Sequence, residues 1–250
     1  MTFLFNEILY RPILNALVLV YNHLSFGSWG LAVIIITVII RIILFPFFHK
    51  ASRSQAIMQK IQPQIKDITD RHQNNKEKQM REIMALYQKH RVNPFSSFGL
   101  LFIQLPVLIA LYLVFLRGLT PDNLSLLYSF VSAPLHVDFT FLWLINLKES
   151  SIIIVVVAAA LQYLQARLSL PRRQPAAAVS SAERLGRQMS FIGPVVTLLV
   201  LINLPSVIGI YWITTSAFSI FQQLIINRSL SDSNYQEHGP DGNKNNQTNP

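Results

Sequence analysis

The sequence predicts an all-α integral membrane protein, on three observations. Apolar residues make up 51% of its 250 residues, whereas Asp, Glu, Lys and Arg together make up 13%, about half the charged share of a soluble domain. Those apolar residues gather in runs long enough to cross hydrocarbon, which takes roughly 20 helical residues for about 30 Å. The basic excess, 21 Lys and Arg against 12 acids, is concentrated between the runs. A charge placed there speaks for a bilayer, so no direct nucleic-acid recognition is expected. With no cysteine in the chain, disulfides, thiolate metal sites, Cys nucleophiles and lipidated Cys are all excluded.

The first stretch, Phe3 to His23, mixes Leu, Ile, Val and Phe with Asn6, Glu7, Arg11, Pro12, Asn15, Asn22 and His23. A helix with that polar face suits the membrane interface better than the hydrocarbon, so residues 1–27 are expected to form an extracytoplasmic interfacial amphipathic helix. Glu7 and Arg11 also interrupt it as a signal sequence, and no small-residue cleavage site follows, so the chain reads as mature from Met1.

Five spans are expected within a core of residues 28–228. Ser28 to Phe48 is the first, broken only by Arg41; Phe95 to Leu116 is the second and Ser150 to Leu168 the third. Met189 to Leu204 is a short fourth, and a fifth follows Pro205 to about Asn227. Asn203-Leu204-Pro205-Ser206 between them reads as a tight turn, because proline cannot continue the preceding helix.

Loop charge sets the orientation. Residues His49 to Asn93 hold ten Lys or Arg, and Pro171 to Gln188 carry Arg172, Arg173, Arg184 and Arg187. Arg117 to Glu149 has two bases and three acids. The basic segments and the C-terminus therefore belong in the cytoplasm, and with five spans the N-terminus lies outside.

The cytoplasmic segment 49–93 is polar and helical in period. Ile57, Ile61, Ile65 and Ile68 form one stripe, and Met80, Ile83, Met84 and Tyr87 another. Arg71 to Lys76 between them has no apolar residue and suits a turn. An antiparallel helical hairpin results, its stripes packed together and its basic surface open to lipid headgroups, incoming chains or ribosome-associated partners. The tail, 229–250, is rich in Asn, Ser and Gln and is expected to be disordered.

Arg41 is the most informative residue. In a helix running to Phe48 it lies seven residues, roughly 10 Å, inside the cytoplasmic end. Burying it in hydrocarbon costs at least about 2.5–3.5 kcal/mol, and no acid lies in another proposed span to pair with it. It is therefore expected to face water within the membrane. The fifth span agrees: Tyr211, Trp212, Thr215, Ser216, Ser219, Gln222 and Gln223 share one broad face, with Ile213, Ala217, Ile220 and Leu224 opposite. Gln104 and Gln162 add single polar groups, each of which reads more simply as interhelical hydrogen bonding. No His-Glu-x-x-His, Gly-x-Ser-x-Gly, P-loop or intramembrane carboxylate pair occurs, and the six histidines are scattered through interfaces and loops. Neither an enzyme nor a metal or cofactor site is indicated.

Several segments carry a resemblance. MQKIQP at 58–63, LYQKHRVNP ending at Pro94, LLFIQLPVLIALY ending at Tyr112, Arg41 before the Phe45-Pro46 pair, and IGIYWITTSAFSIFQQ at 208–223 resemble, in order, the YidC/Oxa family of membrane protein insertases. ILYRPILNALV at 8–18 is similar to the interfacial helix of short bacterial members. The resemblance implies five transmembrane helices around a hydrophilic groove open to cytoplasm and lipid but closed outside, the cytoplasmic hairpin, and no large extracytoplasmic domain. It implies that Arg41 lies in that groove with Gln104, Gln162 and Trp212 lining it, to which the fifth-span face adds Tyr211, Thr215 and Ser216. It also implies a monomer of the bacterial cytoplasmic membrane whose partners are nascent membrane proteins, the ribosome, the Sec translocon and lipids. Two departures stand out. Many short relatives are lipoproteins, which a chain without Cys cannot be, and the tail past Arg228 has one base, Lys244, where ribosome tethers are strongly basic.

The alternative is a small-anion or solute transporter with Arg41 as its binding charge. Paired internal repeats would favour it, and none is found; flux of a defined solute would revive it. A non-catalytic assembly factor centred on the hairpin is a third reading, separable by insertion with purified protein alone.

Overall fold

Helices α1 (Phe3–Phe5) and α2 (Arg11–His23), joined by a π-turn over Asn6–Tyr10, make one continuous helix at the start of the chain. In the computed structural model, residues 3–93, 96–117, 120–134, 137–169 and 181–238 are described. Arg172 and Arg173 of the second basic segment, and tail residues 239–250, lie outside the described residues.

The N-terminal helix is more deeply integrated than an isolated amphipathic helix would be. Tyr10, Leu14, Leu17 and Val18 are buried in the main core beside Trp29, Ala32 and Val33 of α3 (Trp29–Ile43). Its polar residues are engaged as well, by the segment that follows α7 (Ser96–Arg117). The Tyr10 hydroxyl donates to Asn123 Oδ1 at 2.9 Å, and Arg11 Nε donates to the Leu126 carbonyl at 3.0 Å. Asn15 accepts from Tyr128 N at 2.6 Å and donates to the Leu126 carbonyl at 3.1 Å. Asn22 Nδ2 donates to the Ser132 carbonyl at 2.8 Å. The short α8 (Pro121–Leu124) and the irregular chain after it thus run alongside α2.

The first expected span is two helices. α3 starts at an Ser28 N-cap, whose Oγ accepts from Leu31 N at 3.4 Å, and ends at Ile43. α4 (Phe45–Lys60) leaves it at an angle of 70°. The cause lies in the sequence: Pro46 donates no backbone hydrogen bond and sits comfortably only in a first helical turn. A continuous span from Ser28 to Phe48 is therefore corrected to a helix ending at Ile43, with α4 lying back across α7 and α11 (Ser206–His238).

Beyond α4 the chain forms a helical hairpin. α5 (Gln62–Arg71) and α6 (Lys76–Lys89) pack together around Ile61, Ile68, Leu86 and Val92. Asn75 caps α6 by accepting from Lys78 N at 2.9 Å, and His72 Nε2 lies 3.0 Å from Glu82 Oε1 across the turn. Ile83 and Tyr87 join this core, whereas Met80 and Met84 are exposed; Leu86 holds the buried position that the Met stripe was expected to fill.

At the far end, the segment after α7 ends in a small antiparallel hairpin, β1 (Thr140–Phe141) and β2 (Ile145–Asn146), with Phe141 opposite Ile145. α9 (Ile152–Ser169), α10 (Ser181–Leu201) and α11 follow, α9 packing on both of the others. α10 begins within the expected loop 171–188, carrying Arg184 and Arg187 onto a helix. The turn between α10 and α11 falls where Pro205 places it. α11 continues to His238, ten residues past Arg228; nothing between them is Pro or Gly, so no residue there breaks the helix. The expected disorder from Ser229 is corrected over 229–238.

Among the described residues, Phe3–His23 and Ile152–Ser169 are each long and apolar enough to cross a membrane. The bent pair Trp29–Ile43 and Phe45–Lys60 qualifies if counted as one span, and Phe102–Arg117 and Phe191–Leu201 are shorter apolar helices. The bundle and its apolar helices are those of an all-α membrane protein.

Gly209 lets α11 approach α9. A Cβ there would lie 2.2 Å from Ile154 Cγ2, and a β-branched side chain in a helix has little freedom to move away. Gly209→Ala is expected to cost about 1–3 kcal/mol by overpacking, read as lowered thermal stability in detergent. Adding Ile154→Ala should recover most of that loss; strictly additive losses would mean that the contact does not set the helix spacing.

Candidate functional site

Arg41 lies in the last turn of α3, two residues before its end. The earlier depth of seven residues assumed an unbroken helix. At this position its charge falls in the last turn of the helix, where the helix dipole favours a cation. The 70° turn at Leu44 then swings Phe48 over it, with the guanidinium carbon 4.3 Å from the ring centroid. The residue is 7% exposed, its Nε has no hydrogen-bond partner, and no ion pair reaches it among the described residues.

The side chain lines a cavity between α3, α4, α7 and α11. Thr37, Gln104, Tyr211 and Thr215 supply its polar atoms, and Leu44 and Phe48 its apolar cover. The Thr37 hydroxyl donates to the Val33 carbonyl at 2.6 Å and the Thr215 hydroxyl to the Trp212 carbonyl at 2.9 Å. Their lone pairs therefore remain as acceptors toward the cavity. Gln104 Nε2 donates to the Tyr211 hydroxyl, tying α7 to α11. Among the described residues, the wall offers a cation several neutral acceptors and no carboxylate.

The expected broad wet groove is, in this conformation, a cavity with room for about one water. α4 is the reason. Phe45 lies edge-on to Phe218 of α11 at 6.4 Å, and Ala56 meets Ile226 one helix segment further on. α4 thereby covers part of α11, whose Thr214, Thr215, Ser216, Gln222 and Gln223 are buried where it packs against α3, α4 and α9, with Gln222 Nε2 unpaired among the described residues. Ala217 and Leu224, on the opposite face, are exposed as the helical period requires.

The predicted residues divide. Arg41, Gln104, Tyr211 and Thr215 meet at one cavity. Ser216 is buried on the same helix, and Trp212 is half-buried against the main core; neither is among the cavity's lining residues. Gln162 stands elsewhere. It accepts from the Thr197 hydroxyl across α9 and α10, beside Gly193, so it acts as interhelical glue. Sequence reasoning missed Thr37 and the cover formed by Leu44 and Phe48. Their signal was present: an aromatic run interrupted by proline immediately after the only charge in the span.

Toward the start of α3 the core is aromatic. Trp29 stacks among Tyr21, Phe139 and Phe115 at 5.0, 5.8 and 6.1 Å. Beyond it, Ser206 donates through N and Oγ to the Glu149 carbonyl at 2.8 and 2.6 Å.

Comparison with known proteins gives a consistent set of relatives. The pattern of the family described as 60Kd inner membrane protein matches residues 20–233. The chain is 30% identical over 223 residues to a membrane protein insertase YidC of Geobacter sulfurreducens, covering 88% of this chain and 37% of the relative. It is 30% identical over 216 residues to a YidC of Nitratidesulfovibrio vulgaris, covering 85% and 37%. Against membrane protein insertase YidC 1 of Listeria monocytogenes it is 29% identical over 222 residues, covering 87% and 70%. The chain thus spans 37% of the length of the longer relatives.

Proposed function

Because this chain belongs to the 60Kd inner membrane protein family, the YidC/Oxa insertases, we propose that it inserts other proteins into the bacterial cytoplasmic membrane and helps them fold. The observation that carries the mechanism is the buried guanidinium of Arg41, held between four helices without a counter-ion among the described residues.

In this reading α4 moves off α11 and exposes Arg41 with the acceptor-rich wall of Gln104, Tyr211 and Thr215. The hydrophilic, acid-bearing end of a nascent membrane protein enters the opened groove, drawn by a positive charge whose field is strong in a poorly solvated setting. The substrate's apolar helix then slides sideways into lipid, and its burial completes the reaction without nucleotide. Trp212 and Ser216 face the substrate once α4 has moved, and Gln162 holds α9 to α10 throughout. The solute-transporter alternative finds no support in the family match.

The five spans are α3, α7, α9, α10 and α11. The basic hairpin 49–93 lies in the cytoplasm and the N-terminus outside, in keeping with the charge distribution. The N-terminal helix lies in the outer interface rather than across the membrane. Its support is the irregular chain 125–132 that accompanies it, since backbone outside helix or closed sheet does not face lipid within the hydrocarbon. Ribosome and Sec translocon are partners at the hairpin side, and the protein works as a monomer.

Purified protein in liposomes, with no translocon, should insert a single-span substrate with an acidic translocated tail, read as a protease-protected fragment. A yield equal to that of empty liposomes would sink the proposal.

A further inference from the structure

The hairpin β1–β2 has a firm root and a bare tip. At the root, Phe139, Phe141 and Ile145 pack on the main core, and Leu147 is fully buried. Gly30 of α3 makes room for Phe141, because a Cβ there would lie 2.3 Å from the ring. Asp138, just before β1, bridges to Ser28 at the start of α3. The loop between the strands is Leu142-Trp143-Leu144, exposed by 63, 92 and 87%. Leu142 and Trp143 both hold left-handed backbone, with φ of 53° and 58°, a conformation that L residues other than Asn and Asp adopt reluctantly.

Three consecutive large apolar side chains are thus held out from the protein by strained backbone on a rigid base. In water such a patch is a liability. Its position names what covers it. The hairpin stands at the end of the bundle where α3 and α9 begin and α7 ends, which is where spans meet the lipid interface. Two other loops of the same end also present an aromatic ring: Phe26, 98% exposed and likewise left-handed at φ 51°, and Phe130, 73% exposed. Apolar tips spread over three loops match a sheet of lipid better than one protein partner, which would need a single contiguous patch. Tryptophan favours the headgroup boundary, with its ring in the acyl region and its N–H toward water. Lys148, whose Nζ lies 4.1 Å from the Phe139 ring at the root, is placed to meet headgroup phosphates.

We propose that the 142–144 tip is a lipid anchor, inserted at the headgroup–acyl boundary of the outer leaflet. Through Phe141 and Gly30 it fixes the depth at which α3 sits, and with it the depth of Arg41.

The absence of cysteine from the chain makes the test direct. Leu144→Cys carries the only thiol, and Asp122→Cys, at an exposed polar site of the same end, is its control. Each full-length variant is labelled with an environment-sensitive fluorophore and reconstituted into vesicles of phosphatidylethanolamine and phosphatidylglycerol. Lipid carrying a spin label at carbon 5 of its chain should quench position 144 at least about threefold more than position 122, and aqueous iodide at least about threefold less, because the two quenchers sample opposite sides of the boundary. Equal quenching at both positions would overturn the anchor. Shielding of position 144 from both quenchers, with energy transfer between labels, would also overturn it and assign the tip to a second copy. Insertion activity does not enter the measurement, so either result leaves the insertase reading as it stands.

Discussion

Arg41→Ala is expected to lower insertion of substrates with acidic translocated tails by at least about tenfold, because even a poorly optimised charge pair at an effective dielectric near 20 exceeds the 1.4 kcal/mol that tenfold represents. The guanidinium carries no ion pair among the described residues, so removing it breaks no salt bridge known to hold the fold. Its ring partner among the described residues is Phe48 at 4.3 Å, an interaction of about 0.5–2 kcal/mol. Function should therefore fall further than stability. The same variant should handle a substrate whose tail acids are changed to Asn and Gln as well as the parent does. Arg41→Lys should fall between parent and Ala: it keeps the charge but loses the planar face that stacks on Phe48. The readout is protease-protected substrate in translocon-free liposomes, with circular dichroism as the check on folding. Equal losses with Lys and Ala, or equal losses with acidic and neutral tails, would remove charge attraction from the mechanism.

Local chemistry was legible in the sequence where short-range rules decide the structure. The hairpin turn at 72–75 follows from a run without apolar residues capped by Asn75, and the turn before Ser206 from Pro205. The polar face of α11 follows from the helical period. What escaped were features set by how separate segments meet. Pro46 was visible, but hydropathy sums run smoothly across it, so the bend at Leu44 and the placing of Phe48 on Arg41 were lost together. The polar residues of the N-terminal helix read as facing headgroups. Arg11, Asn15 and Asn22 instead bind a loop more than a hundred residues away, a pairing that no local pattern encodes. Gln162 shows the same limit in reverse: a polar residue in an apolar run signals a partner but not which one, and Thr197 on the next helix is the answer.

Phe48 offers the sharper test, because it permits the charge of Arg41 to be cancelled without touching Arg41. Phe48→Glu places a carboxylate where the ring now lies, about 4 Å from the guanidinium; at an effective dielectric of 20 that pair is worth about 4 kcal/mol. A tethered carboxylate of that strength competes with any substrate acid entering the groove. The variant is expected to insert acid-tailed substrates as poorly as Arg41→Ala, although both the cation and the polar wall remain. Phe48→Gln is the matching control: it removes the ring and brings in a polar side chain of similar length without a charge, so it should keep most of the activity. A neutral-tailed substrate should be inserted equally by both. Loss in the Gln variant as deep as in the Glu variant would mean that Phe48 matters for packing α4, and that the positive charge beneath it is not what the substrate meets. Retained activity with Glu would say the same of Arg41 itself, since a guanidinium already paired inside the protein has little attraction left to offer.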